Sequence, residues 1–143
     1  MAARAFQALV LLWALALPAA AQAVVTTEDV AEIRAVINRQ LDAFRRDDAQ
    51  QAFALVSPDV QQAFGTPERF LDTVRVSYRV VYRPSAVAFL GLTVIGQDAV
   101  QQVQLTDRSG SVWLAFYAMQ RQRDGSWRTN GCHLAQPVKT IPT

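Results

Sequence analysis

Around Pro84 the spacing of apolar residues changes period, and that change decides the class of fold this chain can adopt. Upstream, Val30, Ile33, Ile37, Leu41 and Phe44 recur at intervals of three and four, which lines them up on one face of a helix. Downstream, the runs are short, rich in β-branched and aromatic residues, and divided by turn residues, which is the pattern of strands. Helices first and strands after them give a segregated α+β domain, with the helices packed on one face of a sheet.

Local signals place the elements. Thr26 followed by Asp29 has the spacing of a capping box and opens a helix from about Glu28 to Arg45. Asp47-Asp48 ends it and caps a short helix carrying Ala52, Phe53 and Val56. Ser57-Pro58 and Thr66-Pro67 each pair a cap with a proline at the first helical position, and Gly65 stops the helix between them. The helix after Pro67 bears Phe70, Leu71, Val74 and Tyr78. Strands are expected at AVAFLGLTVI (86–95), at 100–105, at VWLAFYAM (112–119) and at 127–134. Asp107–Gly110 and Asp124-Gly125 supply hairpin turns, so the strands form a four-stranded antiparallel meander. The strand at 112–119 is apolar enough to be buried on both faces or nearly so.

The first 23 residues read as a secretory signal, with a single domain over 24–143. Arg4 gives the basic start, Ala8 to Leu17 the apolar core, and Ala21-Gln22-Ala23 a small-residue cleavage site after Pro18. An apolar core of about ten residues falls short of the roughly 20 that span a bilayer, so no stable membrane anchor is expected after cleavage. An uncleaved anchor is the competing reading. No cysteine follows the small residues, which disfavours a lipid-modified N-terminus. The expected destination is the periplasm or the exterior of a bacterium.

With 51% hydrophobic and 18% charged residues, the chain has ample material for a core. Its net charge is +2, part of it from Arg4, and basic and acidic residues alternate, which argues against nucleic acid as a partner. The lone Cys132 cannot form an intramolecular disulfide and is expected to be buried and inert.

The segments VINRQLDAFRRDDAQQAFALVSPDVQQAFG, FLDTVRVSYRVVYRP and VQLTDRSGSVWLAFYAMQRQRDGSWRTNGCHL together resemble a bacterial domain-of-unknown-function family of the nuclear transport factor 2-like superfamily. The resemblance runs from about Ile33 to Leu134 and implies a cone-shaped fold, an exported bacterial protein and no assigned reaction. The wider superfamily holds isomerase-like and dehydratase-like enzymes as well as binding and assembly domains, and its members commonly dimerise through the sheet. Members often place a β-hairpin before the third helix, whereas SPDVQQAFGTP here reads as helix and turn.

Chemistry has few candidates. Cys132 and His133 are neighbours on a strand and point to opposite faces unless Gly131 makes a bulge. One His and one Cys lack the spacing of a transition-metal site, and Asp47-Asp48 lacks that of a calcium loop, so neither metal nor other cofactor is expected. An isomerase needs a carboxylate base in a cavity. Asp98, Asp107 and Asp124 fall at strand ends or turns, and Glu32, Asp42 and Asp72 fall on or beside polar helix faces; Asp72 or Glu68 would serve only by leaning over the cone mouth. Arg75, Tyr78, Arg79, Tyr82 and Arg83 form a basic-aromatic cluster. They read either as an anion or aromatic-ligand site, or as two arginines one turn apart on a solvated face above packed tyrosines. Alternation puts Trp113, Ala115, Tyr117 and Met119 on one sheet face and Leu114, Phe116 and Ala118 on the other, one set for the core and one for a pocket or a homodimer interface.

The expected ligand-binding set is Tyr78, Arg79, Tyr82, Trp113, Tyr117 and His133, for a small apolar or anionic ligand. The favoured function is a non-catalytic binding or assembly module. The alternative is a small lyase or isomerase acting on a hydrophobic substrate, with Tyr78, Tyr82 or His133 as its polar groups.

Overall fold

The structure is a computed structural model that describes residues 24–137. The signal segment expected over 1–23 lies outside the described residues. Among the described residues, no helix is long and apolar enough to cross a membrane.

The helical half comprises α1 (Thr27–Arg45), α2 (Ala49–Ala54), α3 (Pro58–Phe64), α4 (Pro67–Ser77) and α5 (Arg79–Tyr82). The caps fall where side-chain chemistry places them. Thr26 and Asp29 form a reciprocal capping box, and Asp48, Ser57 and Thr66 each accept a backbone N–H from the first turn that follows. Among the described residues, no hairpin precedes α4. The strands β1 (Ala86–Ile95), β2 (Asp98–Thr106), β3 (Val112–Arg121) and β4 (Trp127–Ala135) pair antiparallel in the order β1-β2-β3-β4.

Two irregularities bend this meander. One lies at Leu90-Gly91 in β1, where the Gln101 side-chain amide donates to the Leu90 and Gly91 carbonyls at 3.0 and 3.3 Å. The other lies at Asn130-Gly131 in β4, with Gly131 at φ 127°. The α1 stripe of Ile33, Val36, Ile37, Leu41 and Phe44 packs on the face formed by Ala99, Val103, Leu105, Ala115, Tyr117 and Met119. The link between α2 and α3 runs beside β4: Ser57 N–H donates to Thr129 O at 2.8 Å, and Thr129 N–H donates to Leu55 O at 2.9 Å.

Two expectations are corrected. β3 is buried on one face only; Leu114, Phe116 and Ala118 on the other face are half-buried, because among the described residues no helix covers that side. The helix after Pro67 also ends early. Tyr78 leaves helical geometry (φ −127°, ψ 53°), so Arg75 belongs to α4 and Arg79 to α5 rather than to successive turns of one helix.

Candidate functional site

The break at Tyr78 turns the chain across the end of the sheet where the β2–β3 turn and the last residues of β4 meet. Between them lies an open cleft of about 920 Å³. Tyr78, Arg79, Tyr82, Trp113 and His133 all line it, so five of the six expected site residues are brought together. The sixth, Tyr117, lies deeper, in the wall of a second chamber of about 130 Å³ between the helices and the sheet. Tyr78 and Cys132 belong to both walls.

The cleft is basic. Arg75, Arg79, Arg83 and Arg108 line it, with Asp107 as the carboxylate among its lining residues. Four donors hold that carboxylate: Oδ1 accepts from the Ser109 hydroxyl at 2.6 Å and from Ser109 N–H and Ser111 N–H at 2.9 and 3.0 Å, and Oδ2 accepts from Trp113 Nε1–H at 3.0 Å. These bonds, the Ser109 hydroxyl first, hold its pKa below the usual carboxylate value. Asp107 therefore shapes the turn and fixes the Trp113 ring, and its lowered pKa makes it a weak base for a substrate proton. Asp72 pairs with Arg75 on the exposed face of α4 and does not line the cleft. Glu68 is exposed and also lies outside it.

The arginines divide into tethered and free. Arg83 donates to Phe44 O at 2.8 Å and to Asp47 Oδ2 at 3.3 Å, and it stacks 4.3 Å from the Tyr82 ring centre. Tyr82 donates its hydroxyl to Asp47 Oδ1, a bond that raises its pKa. These contacts tie α5 to the end of α1, so Tyr82 offers the cleft its ring while its hydroxyl is spent. Among the described residues, Arg79 and Arg108 make no ion pair, which leaves both guanidiniums for an incoming anion.

Cys132 pairs with Tyr117 and His133 with Phe116, so the two neighbours do point to opposite faces in spite of the bulge. Burial pushes the Cys132 thiol up to about 12, leaving almost no thiolate at neutral pH. Among the described residues, no group of three or more His, Cys, Asp or Glu could hold a metal ion.

Residue reading alone did not place Arg108 and Asp107 in the site. Both sit in an ordinary hairpin turn, and only the sheet's curvature brings that turn opposite α5.

A family model described as a domain of unknown function (DUF4864) matches residues 26–141, a span that contains every segment quoted above. A solved structure described as an NTF-2 like protein of unknown function from Burkholderia xenovorans LB400 is 12% identical to the chain, with a TM-score of 0.48; the likeness covers 78% of this chain and 89% of that one. No curated protein matches.

Proposed function

The chain belongs to the DUF4864 family of domains of unknown function, and from its cleft we propose that it is a non-catalytic binding module for a small organic anion, acting after export from a bacterial cell. The observation that carries this reading is that Arg79 and Arg108, which make no ion pair among the described residues, share one cleft of about 920 Å³ with the aromatic surfaces of Tyr78, Tyr82 and Trp113. Guanidiniums favour a carboxylate or similar oxyanion, and the rings favour an apolar body attached to it. The carboxylate in the cleft has its pKa lowered by the donors around it, which makes it a weak base and speaks for holding a ligand rather than abstracting its proton. Export rests on the leader read over residues 1–23.

The test is calorimetric titration with benzoate and with its neutral counterpart benzamide, on the wild type and an Arg79→Ala/Arg108→Ala variant. Binding should favour benzoate about tenfold, weaken with added salt and lose that preference in the variant. Equal binding of both compounds, or a preference that survives the double substitution, overturns the reading.

A second reading, assembly through the sheet, draws support from the uncovered face bearing Leu114, Phe116 and Ala118. Light scattering would find a dimer that a Phe116→Lys substitution dissociates.

A further inference from the structure

The sheet edge that borders the outer cleft is open. Hydrogen-bonding direction alternates along β3, and the two flanking turns fix which residues bond to which side. Asp107 N–H donates to Ser111 O at 2.9 Å, so Trp113, Ala115 and Tyr117 bond to β2. Gln122 N–H donates to Ser126 O at 2.8 Å, so Leu114 and Phe116 bond to β4. Cys132 and Leu134 stand opposite Tyr117 and Ala115, and their N–H and C=O groups therefore point outward from the sheet. Thr129 points the same way and bonds there to Leu55 O and Ser57 N–H, which closes the first half of the edge. Among the described residues, nothing bonds the N–H or C=O of Cys132 or Leu134 on that side. Both residues line the cleft.

The open edge leads to the guanidiniums. β4 runs back toward the β2–β3 turn, since Ala135 stands opposite Leu114 and Val112 opposite Thr106. That turn carries Arg108, and Arg79 lines the same cleft from α5. A simple carboxylate leaves the edge groups unused, whereas an extended peptide pairs with them as an added strand. We infer that the anion of this module is the C-terminal carboxylate of an extended peptide, which lies along Cys132 and Leu134 and ends at Arg79 and Arg108. This rests on the anion-binding reading of the cleft. Charge sets the direction: with its carboxylate at the turn, the peptide runs parallel to β4, while an antiparallel one would bring its amino end to the arginines. Tyr78, Tyr82 and Trp113 favour an apolar final side chain, and a cleft of about 920 Å³ has room for a few residues.

Amide hydrogen exchange on the purified, nitrogen-15-labelled protein reads the edge directly. In the free protein the N–H groups of Cys132 and Leu134 should exchange fast, and that of His133, bonded to β3, slowly. Saturating acetyl-Ser-Val-Thr-Val-Phe, with a free carboxyl end, should slow Cys132 and Leu134 about tenfold or more, and saturating benzoate should leave both fast. The peptide should bind about tenfold more tightly than its C-terminal amide. Among its singly N-methylated forms, affinity should fall about two- to tenfold at alternate positions, the worth of one neutral hydrogen bond. Slow exchange of Cys132 and Leu134 in the free protein overturns the inference, because the edge is then already paired, within this chain or by a second copy. Equal tolerance of N-methylation at every position overturns it too. If benzoate binds but the peptide leaves both amides fast, this inference falls and the anion cleft stands. If the peptide acid and its amide bind alike, the anion-binding reading falls, and carboxylate capture falls with it.

Discussion

Replacing Asp29 with Asn should destabilise the domain far more than the loss of a helix cap would. The carboxylate accepts both Arg121 guanidinium nitrogens at 3.0 and 3.1 Å, Trp127 Nε1–H at 2.9 Å and Thr26 N–H at 2.9 Å. Arg121 lies 4.5 Å from the Trp127 ring centre, and the side chains of the ion pair are only 13% and 14% exposed. An amide in place of the carboxylate keeps one acceptor oxygen and loses the charge that organises the cluster. With some allowance for residual solvent, the cost is about 2–3 kcal/mol. At about 4 °C per kcal/mol for a domain of this size, melting should fall by about 8–12 °C at pH 7. The pH dependence gives a second check. These donors, Arg121 first, hold the folded Asp29 carboxyl well below its unfolded value. Its stabilisation is therefore complete above the unfolded pKa of about 3.9 and is lost as pH falls through the folded pKa. Between pH 6 and pH 3 the gap between wild type and Asp29→Asn should narrow by about 1 kcal/mol. Thermal melts followed by circular dichroism measure both. A shift under about 3 °C at pH 7, or a gap that widens toward pH 3, would refute the reasoning.

Three further outcomes follow from the same structure. With its thiol pushed up to about 12, Cys132 should resist iodoacetamide for hours in native buffer and label within minutes in guanidinium, and mass spectrometry distinguishes the two. Gly131→Ala meets no atom within 4 Å but must hold φ 127°, so a loss of about 1–2 kcal/mol by denaturant titration is expected, against under about 0.5 kcal/mol for Gly91→Ala. Phe70 is 7% exposed and touches Phe44, Phe53 and Phe64, so Phe70→Ala should cost about 3–5 kcal/mol, read from the midpoint of a urea transition.

What was legible in the sequence is what is decided locally. The caps at Thr26, Asp48, Ser57 and Thr66 and the turn at Asp124-Gly125 depend on residues two or three apart, and each formed where its side chains required. The break at Tyr78 carries no glycine, proline or capping residue; the chain bends there because Val80 and Val81 are drawn into the core while Tyr82 and Arg83 reach Asp47. Asp29 reads locally as a cap, and its larger partners Arg121 and Trp127 lie more than ninety positions away. For the site, the basic-aromatic cluster of 75–83 was visible because it is contiguous. The matching Arg108 was not, since the position of its turn depends on how two bulges bend the sheet. Alternation alone could not rank the sheet faces; the helices cover the one with Tyr117, and that residue lies farther along β3 than Trp113, which shares its face and lines the cleft.

The most direct test of the anion-binding cleft is an amide chemical-shift titration of the nitrogen-15-labelled protein with benzoate. Saturating shifts should cluster at residues 75–83, 107–113 and 132–134 and be lost in Arg79→Ala/Arg108→Ala. Shifts centred instead on Gln102, Gln104 and Phe116 of the uncovered sheet face, or no saturable shifts at millimolar benzoate, would contradict a ligand site at that end of the fold.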